Sequence, residues 1–257
     1  MKKSKKAKKR DKRRGIYILP NLFTSANLFC GFYAIVAAIQ GGFVKSAIAI
    51  MVAAVFDNLD GKVARATHTE TKFGVEYDSL ADAISFGVAP GIVAYLWALK
   101  PFGRLGWVAA FLFVACGVLR LARFNTQKDT VGSEYFVGLP IPAAACMIAT
   151  MILFINRVDV LSADRSIPIL VLIYILSFLM VSTIKYNSFK NSDFFKKKHF
   201  NALVTAVLVF SVIAYEPSVT FFFIGLTYIA SGPIAALLHR NKTAIKPEPE
   251  KPSEGHL

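Results

Sequence analysis

The sequence predicts an all-α membrane protein, a polytopic bundle of about eight transmembrane helices, and its composition and charge support this. Hydrophobic residues make up 55% of the 257 residues, charged residues only 18%, and the mean hydropathy is +0.51. A soluble domain has too little interior to bury so much apolar surface, and a disordered chain is far less hydrophobic. The net charge of +14 would suit a nucleic-acid-binding protein, but the long apolar runs would not, so we expect no nucleic acid as a partner.

Eight apolar segments approach the roughly 20 residues that a bilayer-spanning helix needs. They are 17–39, 43–66, 77–99, 105–124, 136–155, 167–184, 200–215 and 218–238. Because the connecting segments are short, we predict one transmembrane domain at 16–239. A basic tail at 1–15 precedes it, and a disordered, proline-rich tail at 240–257 follows it.

The basic residues predict the orientation of these spans. Residues 1–15 carry ten Lys and Arg, and a cytoplasmic position for this tail returns every even-numbered span to the cytoplasm. Of the 30 basic residues, 25 then lie on the cytoplasmic side and five on the other, as the positive-inside rule requires. We therefore expect a multi-pass protein of the cell (inner) membrane with both termini in the cytoplasm. The basic tail could also bind anionic membrane lipids.

Four carboxylates lie where a membrane helix should carry none. Asp57 and Asp60 fall in the second span, and Asp78 and Asp82 fall at the start of the third. A charged side chain at the centre of a membrane helix costs about 2.5–3.5 kcal/mol even on the lenient insertion scale. One such residue could be a structural partner for a nearby Lys or Arg, but four close together indicate a functional site.

The spacing of these acids places them on two helix faces together with small residues. The two sets are Asp57, Gly61 and Ala64 on the second span, and Gly74, Asp78 and Asp82 on the third. Consecutive spans joined by a short link are antiparallel neighbours, so the two sets can face each other. Clustered carboxylates suit Mg²⁺ or Mn²⁺, and such ions usually also hold phosphate oxygens, with which Arg65 can pair.

Two classes of function fit such a site. A pocket that opens to the cytoplasm and reaches into the leaflet suits a substrate with a charged head and acyl tails. A divalent-cation transporter is the alternative, although transport sites tend to lie at the midplane, on broken and repeated helices. A cation pathway also has no need for Arg65 or for the small residues beside the acids.

The segment from Asp57 to Asp82 reads D-x2-D-G-x2-A-R-x8-G-x3-D-x3-D, which resembles the signature of the CDP-alcohol phosphatidyltransferases. The resemblance implies transfer of a phosphatidyl group from a CDP-activated lipid to an alcohol, with release of CMP. Four further segments are similar to the membrane-integral, serine-accepting members: LPNLFTSANLFCGF at 19–32, DSLADAISFGVAPG at 78–91, LRLARFN at 119–125 and FVGLPIPAAA at 136–145. The substrates implied are CDP-diacylglycerol and L-serine. Glycerol 3-phosphate or inositol phosphate as the acceptor, and ether instead of acyl chains, remain alternatives.

The same resemblance implies roles for individual residues. The ligands of one or two Mg²⁺ or Mn²⁺ ions would be Asp57, Asp60, Asp78 and Asp82, and Asp82 would also be the general base. The CDP-lipid would be bound by Pro20, Asn21, Thr24, Gly61, Ala64, Arg65 and Gly74. A homodimer is also implied.

The serine carboxylate should need a cation near Asp82. The candidates are the polar residues at the cytoplasmic ends of the fourth and sixth spans: Arg120, Arg123, Asn125 and Lys185. The two arginines could instead be interfacial anchors that obey the positive-inside rule.

Overall fold

The structure is a computed structural model, and it describes residues 2–67, 71–127, 135–158, 167–187, 207, 211 and 214–243. Within these ranges the chain forms seven helices and one short strand pair. The helices are α1 (Lys2–Ile39), α2 (Phe43–Thr67), α3 (Lys72–Phe102), α4 (Arg104–Gln127), α5 (Ile141–Val158), α6 (Ile167–Val181) and α7 (Pro217–Thr243). The strands are β1 (Tyr135–Val137) and β2 (Lys185–Asn187). The protein is therefore helical, as predicted, apart from this strand pair.

Five stretches among the described helices are long and apolar enough to cross a membrane, which agrees with a helical membrane protein. They are Leu19–Ile39, Lys72–Phe102, Arg104–Thr126, Ile141–Val158 and Pro217–Ala236. Helix α6 is apolar but has only 15 residues. Helix α2 is long enough, but its C-terminal half carries Asp57, Asp60, Lys62 and Arg65, which lower its hydropathy. Most of the seventh predicted span, 200–215, lies outside the described residues.

Three predicted boundaries differ from the structure. Helix α1 begins at Lys2, so the basic segment at 1–15, predicted to be a separate tail, continues as a helix into the first span. Helix α7 runs on to Thr243, beyond the predicted domain end at 239. The fifth span was predicted to begin at 136, but its helix begins at Ile141. Gly138 has φ +81°, a left-handed conformation that ends the strand before that helix can start.

Helix α1 is the element that connects the others near the acidic residues. It packs along α2 and also contacts the first half of α3. Its contact faces include small buried residues such as Ala34 and Ala38 on α1 and Ala47 and Ala53 on α2, which let the helices approach closely. The acids of α2 and α3 therefore lie against a shared neighbour.

Helix α3 is irregular along its length. Its first part, Lys72–Asp82, is α-helical, and Ala83–Val88 then forms π-helical turns before Ala89–Ala94 resumes the α-helix. Pro90 lacks the N–H that an α-helical hydrogen bond at its position would require, which favours irregular turns around it. Asp82 is thus the last residue before the change in helical pitch.

The strand pair ties the start of α5 to the segment that follows α6. Strands β1 and β2 are antiparallel, with Phe136 opposite Tyr186. The Gly138 N–H donates to the Ile184 carbonyl at 2.9 Å and extends the connection. Tyr186 is 1% exposed and lies against α7, so the strand pair also fixes α7 to the bundle.

Candidate active site

Three carboxylates form the centre of the site. Asp57 and Asp60 come from the C-terminal half of α2, and Asp78 comes from the first part of α3. Each offers one oxygen atom, and the three atoms lie within 4.8 Å of one another. Carboxylates held this close repel one another unless a cation lies among them. Hard oxygen donors in this arrangement fit Mg²⁺ or Mn²⁺.

Thr24 on α1 holds one carboxylate of this cluster in place. Its hydroxyl donates to Asp60 Oδ2 at 2.9 Å, and the Pro20 carbonyl lies 3.2 Å from the same hydroxyl. Thr24 and Asp60 are both buried. Thr24 was predicted to bind the CDP-lipid, and the structure adds a direct contact with a candidate metal ligand.

Asp82 lies beside the three-carboxylate cluster. It follows Asp78 by one helical turn, and its Oδ1 accepts a hydrogen bond from Asn27 Nδ2 at 3.0 Å. Asp82 is buried, and Asn27 is fully buried. The predicted base therefore has one defined polar partner on α1.

Asn27 is a site residue that the sequence analysis missed. Its backbone carbonyl accepts a hydrogen bond from the Ser85 hydroxyl at 3.0 Å, which fixes α1 against the π-helical part of α3. A side chain at Gly31 would overlap Ser85, so the close approach of the two helices requires glycine there. An amide side chain inside an apolar helix, one turn after Thr24, is the signal that could have identified it.

A pocket of about 140 Å³ opens next to the carboxylates. It is lined by all seven residues predicted to bind the CDP-lipid and by four others: Pro20, Asn21, Thr24, Asp60, Gly61, Ala64, Arg65, Thr71, Gly74, Val75 and Asp78. Asp60 and Asp78 belong to both the pocket and the carboxylate cluster. The pocket can therefore bring a bound diphosphate to the candidate metal ligands.

The N-terminus of α3 forms one wall of this pocket. Thr71 is the N-cap of α3, and its hydroxyl accepts a hydrogen bond from the Gly74 N–H at 3.0 Å. A Cβ atom at Gly74 would lie 3.1 Å from Thr71 Oγ1 and 3.4 Å from Asn21 Oδ1, so the glycine leaves space in this wall. Helix N-termini attract phosphate groups, and Arg65 adds a positive side chain to the same pocket.

The four residues predicted to bind serine lie in different places. Arg120 lies in the C-terminal part of α4, and its Nε is buried without a hydrogen-bond partner among the described residues. Asn125 Nδ2 donates to Ser79 Oγ at 2.9 Å, so it contacts the helix that carries Asp78 and Asp82. Arg123 Nη1 lies 3.5 Å from the Val181 carbonyl at the end of α6. Lys185 lies in β2, and its side chain is outside the described part of the structure.

A second, larger cavity of about 840 Å³ lies between α2, α5 and α7. Most of its lining is apolar and includes Met51, Met147 and Phe223. Tyr228, on α7, lies in its wall. The sequence analysis assigned no role to α7.

Comparison with known proteins gives a consistent result. The sequence profile of the CDP-alcohol phosphatidyltransferase family matches residues 17–181. The chain is 41% identical over 195 residues to the CDP-diacylglycerol–serine O-phosphatidyltransferase of Helicobacter pylori (strain ATCC 700392 / 26695). The aligned region covers 76% of this chain and 82% of that protein. It is 39% identical over 170 residues to the archaetidylserine synthase of Methanothermobacter thermautotrophicus, which covers 65% of this chain and 69% of that protein.

Proposed function

This chain belongs to the CDP-alcohol phosphatidyltransferase family, and from that premise we propose that it transfers the phosphatidyl group of CDP-diacylglycerol to the hydroxyl of L-serine and releases CMP. The names of its relatives support serine as the acceptor. The structural observation that carries the proposal is the pocket that shares Asp60 and Asp78 with the carboxylate cluster. It offers a diphosphate site and candidate metal ligands side by side.

In this proposal the pocket binds the cytidine diphosphate part of the donor. Arg65 and the N-terminus of α3 bind the diphosphate, and Gly61, Ala64 and Gly74 leave room for the nucleotide. Pro20, Asn21 and Thr24 form the opposite wall on α1. The diacylglycerol chains extend from the pocket into the leaflet.

The carboxylates Asp57, Asp60 and Asp78 would hold one or two Mg²⁺ or Mn²⁺ ions, with Asp82 one helical turn beyond Asp78. When bound, such an ion neutralises negative charge on the diphosphate and on the departing CMP. The Thr24 hydroxyl keeps the Asp60 carboxylate oriented toward the cluster.

Asp82 is the general base of the proposed reaction. It accepts the proton of the serine hydroxyl as the serine oxygen forms a bond to the β-phosphorus. The bond from that phosphorus to the bridging oxygen breaks, and the electron pair leaves with CMP. Asn27 fixes the Asp82 carboxyl through its 3.0 Å hydrogen bond. The transfer is direct, with no covalent enzyme intermediate.

We also propose the finer topology that the charge distribution predicts. The chain has eight spans in the inner membrane, and both termini and the site face the cytoplasm. The basic residues at 1–15 interact with anionic lipid headgroups. The protein acts as a homodimer.

The test is CMP release by the full chain, purified in detergent. We expect release only when CDP-diacylglycerol, Mn²⁺ or Mg²⁺ and L-serine are all present. Release without serine, or faster release with glycerol 3-phosphate, would contradict the assignment of the acceptor. Metal uptake into proteoliposomes without any CMP release would favour the cation-transporter alternative.

A further inference from the structure

We propose that Asn125 on α4 is a positioning residue for Asp78: by bonding to Ser79 it fixes the first part of α3, so that the Asp78 carboxylate meets the other two of the three-carboxylate cluster. The proposal rests on the proposed function, in which Asp78 is a metal ligand. It gives Asn125 a role within the protein in place of the contact with serine expected from the sequence. Asn125 lies outside the aspartate signature at 57–82, so that signature gives it no role.

A hydrogen bond joins Asn125 to Ser79. Asn125 Nδ2 donates to Ser79 Oγ at 2.9 Å, which is an ordinary hydrogen-bond length, and the two residues are 46 positions apart in the chain. Both residues are half-buried, so water competes with the bond less than it would at an exposed surface. Because Ser79 directly follows Asp78, the bond acts on the residue next to a candidate metal ligand.

Helix α1 contacts α3 on the other side of Asp78. The residue before Asp78 is Tyr77, whose hydroxyl forms a 2.9 Å hydrogen bond with Ser25 on α1. Successive residues of an α-helix lie about 100° apart around its axis, so Tyr77 and Ser79 are separated by about 200° and Asp78 projects between them. Helix α1 therefore contacts one side of this turn and α4 the other, and the Asp78 carboxylate lies between the two contacts.

The position of Asp78 is sensitive to any rotation of the first part of α3. This segment, Lys72–Asp82, has only 11 residues, so its position depends on packing and on side-chain contacts. The carboxylate lies farther from the helix axis than the backbone does, so a rotation displaces it more than the backbone. Mg²⁺ requires ligand oxygens at about 2.0–2.1 Å in near-octahedral geometry, and a displaced carboxylate no longer meets this requirement. A contact that fixes the rotation therefore supports metal binding.

The main test measures Mn²⁺ binding directly, by electron paramagnetic resonance of free Mn²⁺ with the purified full chain and no substrate. We expect Asn125→Ala to weaken binding about tenfold, at the lower end of the loss typical of contacts that orient a metal ligand. In the CMP-release assay the same variant should need about tenfold more Mn²⁺ for half-maximal activity. At saturating Mn²⁺ its KM for serine should be unchanged, because Asn125 orients α3 and does not bind the acceptor.

Variants of Ser79 separate the effect of this bond from a general effect on packing. Ser79→Ala should weaken Mn²⁺ binding as much as Asn125→Ala does. The double variant should bind Mn²⁺ no more weakly than either single variant, because all three lack the same bond. Ser79→Thr keeps the hydroxyl and should bind Mn²⁺ like the unchanged chain. Additive losses in the double variant would overturn the proposal.

Thr126→Ala is the matched control on α4. The Thr126 hydroxyl donates to the Arg123 carbonyl of the same helix at 3.0 Å, so its loss should change neither Mn²⁺ binding nor the KM for serine. Unchanged Mn²⁺ binding in Asn125→Ala would overturn the proposal. A rise in the serine KM alone would also overturn it and would assign Asn125 to the acceptor site. If the unchanged chain shows no serine-dependent CMP release but Asn125→Ala still weakens Mn²⁺ binding, the proposed function fails and the positioning role stands.

Discussion

Asn27 on α1 donates a hydrogen bond to the Asp82 carboxyl on α3 over 3.0 Å, and this contact joins two buried side chains that are 55 positions apart in the chain. Its neighbour one turn earlier, Thr24, does the same for Asp60 on α2 at 2.9 Å. Helix α1 contributes no acid to the cluster, yet it holds one carboxyl from each of the two helices that do. The orientation of the Asp60 and Asp82 carboxyls therefore depends on α1.

Replacing Asn27 with Ala should lower kcat by about 10- to 100-fold, with a much smaller change in the KM for CDP-diacylglycerol. The reason is that a hydrogen bond to a charged group contributes about 1.5–3 kcal/mol, and here it would orient the base. Ser25→Ala is the control, because Ser25 and Tyr77 form a 2.9 Å hydrogen bond between the same two helices without a carboxylate. Equal losses in the two variants would mean that Asn27 supports helix packing only.

Replacing Asp82 with Asn should abolish serine-dependent CMP release and largely preserve binding of the CDP-lipid. The amide has nearly the same shape but cannot accept the proton of the serine hydroxyl. Binding can be measured with radiolabelled CDP-diacylglycerol in the presence of Mn²⁺. Glu76→Gln, an exposed carboxylate on the same helix, should remain fully active. Near-normal turnover in Asp82→Asn would show that another group is the base.

Replacing Thr24 with Val should raise the Mn²⁺ concentration needed for half-maximal activity by about 10- to 100-fold. Valine fills the same space but leaves Asp60 without the hydroxyl that orients it, and such outer contacts usually matter for metal affinity. Thr150→Val is the control, because the Thr150 hydroxyl is also buried but donates to a backbone carbonyl, that of Met147, at 3.2 Å. If the two variants have the same Mn²⁺ dependence, the Asp60 carboxylate is not a metal ligand that Thr24 orients.

The sequence predicted the acidic site well because regular spacing along a helix determines which residues share a face. Asp57, Asp60 and Asp78 come together as predicted, and the small residues between them line the adjoining pocket. These relationships depend on helical periodicity and on the short link between two helices, both of which can be read from the sequence.

The features of the site and fold that the sequence analysis missed depend on packing between segments that are distant in the chain. Nothing in the periodicity places Asn27 opposite Asp82, because this contact depends on how α1 fits against α3. The strand pair was missed for a related reason: each strand has only three residues, and its partner lies about 50 positions away. Arg123 was grouped with Arg120 because they share a helix face, but its guanidinium lies near the end of α6.

The π-helical turns at Ala83–Val88 have a consequence for the rotational phase of α3. An α-helix turns by about 100° per residue, so the extra residue that a π turn accommodates shifts everything beyond it around the helix axis. The segment Ala89–Ala94 is buried at nearly every position in the core, while Asp78 and Asp82 face the polar site. The π turns set the rotation about the helix axis of Lys72–Asp82 relative to Ala89–Ala94. A deletion of one residue within the π turns would therefore rotate Asp78 and Asp82 away from α2 while leaving both aspartates in the sequence.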